Sequence, residues 1–314
     1  MSQRGAIKVK ARFFADVSEN VELTNCHVIE EDTLTLDITG VGLYTLMWTP
    51  TMECSSAHGY TPEDGLLGDI DEPESLAIAA GFALSEGFIR RCSDLLSLSV
   101  CPQNRRVIRI QLSEPENVQA NRKNVVINSS CGICGPRELL ENDSSGLQPV
   151  GRRLTLPSQD ISRLMSEMRS RQTLFSETGG CHGAAIFDQC GQILAVAEDL
   201  GHHNALDKVI GKVLLRRGEL SGCGVILSSR ISLEMVLKAI RAGLEIVLAV
   251  SAPTSLAILF AERYGLTVCG FVRGSRATVY AHPERLESVN PAVSSPSVAA
   301  AVSDRDAPAV SRRP

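Results

Sequence analysis

Apolar and polar positions follow a regular pattern through the second half of the chain, and this pattern predicts a sheet covered by helices. Short, continuously apolar runs predict strands buried on both faces, whereas apolar residues at i, i+3, i+4 and i+7 predict amphipathic helices. The predicted strands cover 184–187, 193–196, 224–227, 246–250 and 267–272, and the predicted helices contain 161–168, 206–214, 233–240 and 254–264. This alternation of strands and helices predicts an α/β domain.

The first half of the chain gives a less detailed prediction. Residues 34–46 and 106–112 predict strands, and residues 76–89 predict a helix that two glycines interrupt. Residues 51–72 are rich in Gly, Asp and Glu and predict a long loop. We therefore expect a mixed α/β N-terminal region over 1–150, an α/β domain over 151–287 and a disordered tail over 288–314.

Composition narrows the functional class. The 314 residues are 44% hydrophobic and 21% charged, as in an ordinary globular protein. A net charge of −5 and a pI near 5.8 argue against a general nucleic-acid binder. The N-terminal residues lack the apolar stretch of a signal peptide, and no run approaches the roughly 20 apolar residues of a membrane span. We expect a cytoplasmic protein that does not enter a membrane.

The most informative motif is SSCGICG at 129–135, which follows a predicted strand at 124–127. Glycines permit tight turns around Cys131 and Cys134, and a loop that leaves a sheet presents a reactive group to its substrate. In a chain predicted to be cytoplasmic, such a pair favours chemistry or metal binding over a structural disulfide. A zinc half-site, a redox dithiol and a sulfur carrier all remain open, and Cys181 and His182 are candidates to complete a zinc site.

Four further polar segments lie at predicted strand ends. Residues 178–183 place paired glycines beside a histidine, and residues 198–208 combine carboxylates, imidazoles and a lysine, which indicates proton transfer or binding of a polar ligand. Residues 251–255 open a helix whose free N–H groups favour anions. Residues 270–276 place two arginines near a glycine, which suits phosphate. Three of these segments also have a purely structural interpretation. Residues 178–183 would be a glycine turn, Asn204 would cap a helix, and the two arginines of 270–276 would be solvated surface residues.

One class of enzyme is excluded by the order of its motifs. Zinc deaminases have His-x-Glu before Pro-Cys-x-x-Cys. The His-x-Glu of this chain, at 282–284, follows the cysteines, and Ser130 stands where proline is required.

Taken together, these segments resemble the FdhD family, the sulfurtransferases that mature formate dehydrogenase. The resemblance covers about Pro73 to Leu286 and rests on SSCGICG, LFSETGGCHGAAIFD, EDLGHHNALDKVIG, SSRISLEMV, SAPTSLAI and GFVRGSRATVYAHPERL, in family order. It implies a homodimer with a cytidine-deaminase-like α/β sheet flanked by helices and a smaller mixed N-terminal subdomain. It also implies transfer of persulfide sulfur from a cysteine desulfurase to a bis-guanine-dinucleotide molybdenum cofactor, with the formate dehydrogenase catalytic subunit as client.

Residue by residue, the resemblance implies that Cys131 carries the persulfide and that Cys134 is the second thiol of the same loop. The residues expected to bind the cofactor are Gly180, His182, His203, Phe271, Val272, Arg273, Gly274, Ser275 and Arg276. The cofactor is expected as a bound substrate, and no tightly bound metal is expected.

The chain departs from the family pattern at two places. An insertion follows the Met-Trp-Thr-Pro segment at 47–50, and His202 stands where arginine is usual. An uncharged imidazole at that position would weaken a phosphate contact. A cofactor chaperone that carries no sulfur and a dithiol oxidoreductase remain alternative functions.

Overall fold

The described residues form two six-stranded sheets with helices packed between them, and a separate two-stranded ribbon. The computed structural model describes residues 5–13, 22–51, 59–61, 73–118, 125–127, 146–274 and 276–287. The strands are β1 (Ala6–Phe13), β2 (Glu22–Ile29), β3 (Asp32–Ile38), β4 (Gly42–Trp48), β5 (Gly59–Tyr60), β6 (Leu95–Val100), β7 (Val107–Leu112), β8 (Val125–Ile127), β9 (His182–Phe187), β10 (Ile193–Asp199), β11 (Gly224–Leu227), β12 (Ile246–Ala249), β13 (Thr267–Arg273) and β14 (Arg276–Ala281). The helices are α1 (Glu74–Ser85), α2 (Asp160–Ser170), α3 (Thr173–Thr178), α4 (His202–Arg217), α5 (Leu233–Arg241) and α6 (Ser255–Tyr264).

The C-terminal sheet has the strand order β10-β9-β11-β12-β13-β14. Its central strands β11, β12 and β13 are parallel, while β9 and β10 form a hairpin and β14 returns antiparallel to β13. Successive side chains of β11 alternate between two cores, since Val225 and Leu227 join the core between the sheets and Ile226 joins the core beneath α2. The predicted α/β sheet with strands buried on both faces is confirmed.

The N-terminal sheet has the order β5-β6-β7-β3-β4-β8. The single strand predicted over 34–46 is wrong, because β3 and β4 form an antiparallel hairpin that turns at Gly40, where φ is +80°. The sequence does not reveal this turn, because the buried residues have even numbers in both β3 and β4 and the apolar alternation therefore continues from one strand to the next. The buried positions are Leu34, Leu36, Ile38, Tyr44, Leu46 and Trp48. The strand expected at 124–127 is confirmed as β8, which pairs in parallel with β4.

One core joins the two halves of the described chain. Helix α1 packs on β6 and β7 of the N-terminal sheet and also on α4, which covers β9 and β10. The core between the sheets therefore includes side chains from both predicted regions. The division at 150 remains a prediction, and most of the predicted loop at 51–72 and the whole tail at 288–314 lie outside the described residues.

Candidate functional site

Five strand ends meet at one edge of the C-terminal sheet. Strand β9 begins at His182, β10 ends at Asp199, Ser228 follows β11, Ser251 lies just beyond β12, and β13 ends at Arg273. Because β9 runs antiparallel to β11, its amino end lies beside the carboxyl ends of the parallel strands. Ligands of open α/β sheets bind outside these carboxyl ends. The fold thus gathers the four polar segments of the sequence along one edge.

Three histidine rings form a row at this edge. The His182 and His202 ring centroids are 5.4 Å apart, and those of His202 and His203 are 4.3 Å apart. His182 Nδ1 lies 3.3 Å from Ser228 Oγ, and His203 Nε2 lies 3.2 Å from a carboxylate oxygen of Glu234. Two of the predicted cofactor-binding residues, His182 and His203, are therefore joined through His202.

Burial keeps these imidazoles uncharged at neutral pH. It lowers the pKa of His182, lowers that of His202 to about 4, and lowers that of His203, which also lies near the ammonium of Lys238, to about 3. Neutral imidazoles donate and accept hydrogen bonds but contribute no positive charge. The three histidines therefore supply no cationic contact to a phosphate at this edge.

The carboxylate of Asp199 holds the two sheets together. It accepts hydrogen bonds from the backbone N–H of Thr49 (2.9 Å) and from Asn204 Nδ2 (3.0 Å), and it pairs with Lys208 Nζ at 2.9 Å. Lys208 is fully buried and also pairs with Glu74 at 3.1 Å. Burial alone would lower the pKa of Lys208, but Asp199 and Glu74 raise it above its usual value. These groups bind one another rather than a mobile proton or ligand.

Asn204 does not cap helix α4. The N-cap position is Gly201, and Asn204 Nδ2 instead donates to the carbonyl oxygen of Met47 at 2.6 Å as well as to Asp199. The helix cap given above as the alternative for Asn204 is thus wrong, because a tertiary contact with the end of β4 uses its amide.

The predicted cofactor stretch covers the end of β13, the turn at Gly274 and the start of β14. Phe271 is 44% exposed, has φ of +51°, and donates its N–H to the carbonyl oxygen of Ser251 at 3.2 Å. Arg273 and Arg276 are exposed register partners across the hairpin, on either side of Gly274. The side chain of Val272 is buried in the core beneath α2, so only its backbone faces the turn. Ser275 lies outside the described residues.

A cleft of about 650 Å³ opens next to the histidine row, and we call it the edge cleft. It lies between α2, α3 and the sheet edge and includes Gly180 and His182 from the sequence prediction. The residues that line it are Met165, Ser166, Met168, Arg169, Gln172, Phe175, Gly179, Gly180, Cys181, His182, Ser228 and Val250. Gln172 was not found from the sequence, because it belongs to no motif with a recognisable spacing. Ser228 opens the motif SSRISLEMV, but the sequence assigns it no role in the site.

Cys131 and Cys134 lie outside the described residues, so the structure does not describe their geometry. Cys181 is buried, and its thiol lies 3.4 Å from Glu198 Oε1. Burial, together with this carboxylate, raises the pKa of Cys181 to about 12, which keeps the thiol protonated and a poor metal ligand. The described part of the chain contains no group of three His, Cys, Asp or Glu side chains arranged to hold a metal. None of its helices combines the length and apolar character needed to cross a membrane.

The fold and the strand-edge cleft define an α/β protein whose candidate ligand site is built from loops at the carboxyl ends of its strands. The chain belongs to the FdhD/NarQ family, whose model matches residues 73–287. This confirms the family indicated by the sequence motifs.

Named relatives support the same assignment. The sulfur carrier protein FdhD of Bordetella bronchiseptica is 36% identical over 262 residues, which are 83% of this chain and 87% of the relative. The sulfur carrier protein FdhD of Sulfolobus acidocaldarius is 39% identical over 218 residues, 68% of this chain and 81% of the relative.

A solved structure shows the same fold. The crystal structure of a putative formate dehydrogenase accessory protein from Desulfotalea psychrophila superposes with a TM-score of 0.67 at 24% identity, covering 90% of this chain and 99% of the other. The predicted fold class is therefore confirmed.

Proposed function

We propose that this protein is a sulfurtransferase that carries persulfide sulfur from a cysteine desulfurase to a bis-guanine-dinucleotide molybdenum cofactor and so supports formate dehydrogenase. Cys131 is the carrier, Cys134 is the second thiol, and the cofactor is the bound substrate. The formate dehydrogenase catalytic subunit receives the product, the protein acts as a homodimer, and the cytoplasm is its compartment.

The observation that carries this proposal is the position at which β8 ends. Ile127, its last residue, pairs with Leu46, and the next residue of β4, Met47, accepts the hydrogen bond from Asn204 beside the histidine row. Three residues lie between Ile127 and Cys131, and the four Cα–Cα steps that join them span at most about 14 Å. Ile127, the last described residue before the cysteine motif, therefore lies near the edge at which the predicted cofactor contacts are gathered.

The paired arginines supply the charge that the histidines lack. Arg273 and Arg276 are neighbours across the β13–β14 hairpin and face solvent. Guanidinium groups form bidentate, charge-assisted hydrogen bonds with phosphate oxygens. Two such groups side by side suit the diphosphate of a guanine dinucleotide.

Loading of the carrier needs no added oxidant. The Cys131 thiolate attacks the outer sulfur of the donor persulfide, a new S–S bond forms, and the donor cysteine leaves as a thiolate. The number of S–S bonds is unchanged, and the sulfane sulfur moves from one cysteine to the other.

Intact mass spectrometry after incubation with a cysteine desulfurase and cysteine tests the carrier. We expect one added sulfur in the wild type and in Cys134→Ala, and none in Cys131→Ala. Cys190→Ala is the matched control, because Cys190 is an exposed thiol on the β9–β10 turn. Equal labelling of Cys131→Ala and wild type would refute the proposal.

The same variants separate the alternatives in cells that lack the native protein. A cofactor chaperone predicts that Cys131→Ala still restores formate dehydrogenase activity. A dithiol oxidoreductase predicts a reversible Cys131–Cys134 disulfide and turnover with a thiol reductant. The carrier predicts loss of formate dehydrogenase activity in Cys131→Ala, and analytical ultracentrifugation tests the homodimer.

A further inference from the structure

The ribbon of β1 and β2 has two chemically different faces, because directly opposed residues of an antiparallel pair project to the same side. One face, which we call the basic face, contains Ala6, Lys8, Lys10, Arg12, Leu23, Asn25, His27 and Ile29. The other, which we call the apolar face, contains Ile7, Val9, Ala11, Phe13, Thr24, Cys26 and Val28. The lysines and the arginine of the ribbon thus all lie on one side of it.

The basic face is the face that contacts helix α3. His27 Nδ1 lies 3.3 Å from Glu177 Oε1, near the end of that helix. A Cβ on Gly180, just beyond the helix, would lie 3.4 Å from the side chain of Ile29. Since His27 and Ile29 both belong to the basic face, the apolar face is directed away from α3.

The apolar face is exposed in a single copy of the chain. Ile7 is 47% exposed, Phe13 is 57% exposed and Val28 is 41% exposed. A two-stranded ribbon is marginally stable in water by itself, and it gains stability when its hydrophobic face packs on another element. A contiguous exposed apolar patch also marks a site of interaction. Large apolar side chains on the outer face of so small an element therefore indicate a surface that another layer covers.

The distribution of charge indicates which kind of surface covers this face. A nucleic acid, an anionic membrane or an acidic protein would be attracted to Lys8, Lys10 and Arg12, which are exposed on the opposite face. A second apolar face suits the apolar face better, because their contact buries no unpaired lysine or arginine. In a two-fold dimer the same patch of both copies meets, so the patch must be complementary to itself. The apolar face meets this condition, and the lysines and arginines of both copies remain in solvent.

We propose that the apolar face of the ribbon packs on the apolar face of a second copy of this chain and forms part of the homodimer interface. This inference rests on the proposed function, which includes a homodimer, and it concerns residues that precede the family match at 73–287. Eight residues at about 3.4 Å each and two strands about 4.8 Å apart give a face of roughly 27 by 10 Å. Each partner of a standard interface buries about 800 Å². The two ribbons therefore act as arms within a larger interface.

Analytical ultracentrifugation of the full chain over a concentration series tests the inference. Phe13→Glu places a charge on the apolar face and should raise the Kd of the dimer at least tenfold. Leu23→Glu is the matched control and should leave the Kd unchanged, because Leu23 is 77% exposed, lies one register position from Phe13 and belongs to the basic face. A Phe13→Glu protein that dimerises as tightly as the wild type would overturn the inference. An equal increase in Kd for both variants would also overturn it.

Hydrogen exchange of the wild-type chain provides a second measurement that needs no substitution. The amides of 6–13 and 22–29 should be more strongly protected above the Kd of the dimer than after dilution below it. Protection that does not change with concentration would overturn the inference and indicate that a segment of the same chain covers the apolar face. A wild type that stays monomeric at every concentration would overturn it as well and leave the apolar face to a different protein.

Failure of this inference is distinguishable from failure of the carrier. Mass spectrometry of Cys131 after incubation with the desulfurase is carried out on the same wild-type preparation. Sulfur on Cys131, together with a dimer that Phe13→Glu does not weaken, leaves sulfur transfer standing and removes the ribbon from the interface. A dimer that Phe13→Glu weakens, in a chain that takes no sulfur on Cys131, does the reverse.

Discussion

Gly81 of α1 and Gly211 of α4 face each other where the two helices cross. A Cβ on Gly81 would overlap the carbonyl oxygen of Asp207, and a Cβ on Gly211 would overlap the carbonyl oxygen of Ala77. The two backbones are thus in direct contact, and this crossing joins the N-terminal sheet to the C-terminal sheet. The glycine that weakens the helix prediction from the sequence is required by the tertiary packing.

Gly81→Ala and Gly211→Ala should each destabilise the protein by about 1–3 kcal/mol or more, because neither helix backbone has room to move. Urea unfolding monitored by circular dichroism measures this free energy. Gly180→Ala is the matched control, since a Cβ there meets its nearest neighbour, Ile29, at an ordinary 3.4 Å. Equal stability of Gly81→Ala and Gly180→Ala would contradict the close crossing.

Asn204→Ala should destabilise the protein by about 1–3 kcal/mol, because it removes the amide that joins Met47 to Asp199. Asn204→Asp should cost more, since it places a second carboxylate beside Asp199. Chemical unfolding compares both with Asn117→Ala, whose amide bonds only to exposed Glu114 among described residues and should lie within about 0.5 kcal/mol of wild type. An Asn204→Asp protein as stable as Asn204→Ala would argue against the buried carboxylate contact.

Stability should fall as the pH decreases below the usual pKa of histidine. The pKa of His203 is about 3 in the folded protein against 6.5 for a free imidazole, so between these values the unfolded chain binds a proton that the folded chain does not. One such group gives a slope of about 1.4 kcal/mol per pH unit, with stability rising as the pH rises.

His203→Asn should lower the slope of stability against pH by about 1.4 kcal/mol per pH unit between about pH 5 and 6.5. This window lies above the pH range in which carboxylates titrate. At about pH 8 the imidazole is neutral in both states, so the difference there reports packing alone. Parallel stability curves for the two proteins across the window would show that His203 does not titrate as the geometry requires.

Native cysteine reactivity should separate the described thiols into two groups. Cys181, Cys223 and Cys269 are buried, and burial raises the pKa of these thiols to about 12, 11 and 12. They should resist iodoacetamide at neutral pH, while exposed Cys190 reacts. Peptide mapping measures the modification, and denatured protein provides the control in which all four react. Rapid modification of Cys269 in the native state would contradict its burial.

Arg273→Gln and Arg276→Gln should each weaken binding of guanosine diphosphate about tenfold, with a larger effect at low salt. Arg263→Gln, at an exposed arginine of α6, is the matched control and should leave the affinity unchanged. Titration at two salt concentrations measures both effects. If the variant that carries both Arg273→Gln and Arg276→Gln binds guanosine diphosphate as tightly as the wild type does, the two arginines do not form the diphosphate site.

The sequence by itself determined the α/β pattern, the position of β8 before the cysteine motif, and the family. These features depend on local periodicity and on contiguous motifs, which a chain displays before it folds. The hairpin at Gly40 was missed because its two arms keep the same parity. Strand β14 was also missed, although Ala277, Val279 and Ala281 alternate with polar residues there.

Only the tertiary structure decided how the polar residues are used. Asp199, Asn204 and Lys208 resemble a proton-transfer site in the sequence, yet they bind Thr49, Met47 and Glu74 across the interface between the sheets. Gln172 belongs to no motif, and its burial against Gly183 follows only from the fold. Local sequence does not encode such contacts, because each depends on the distance between residues far apart in the chain.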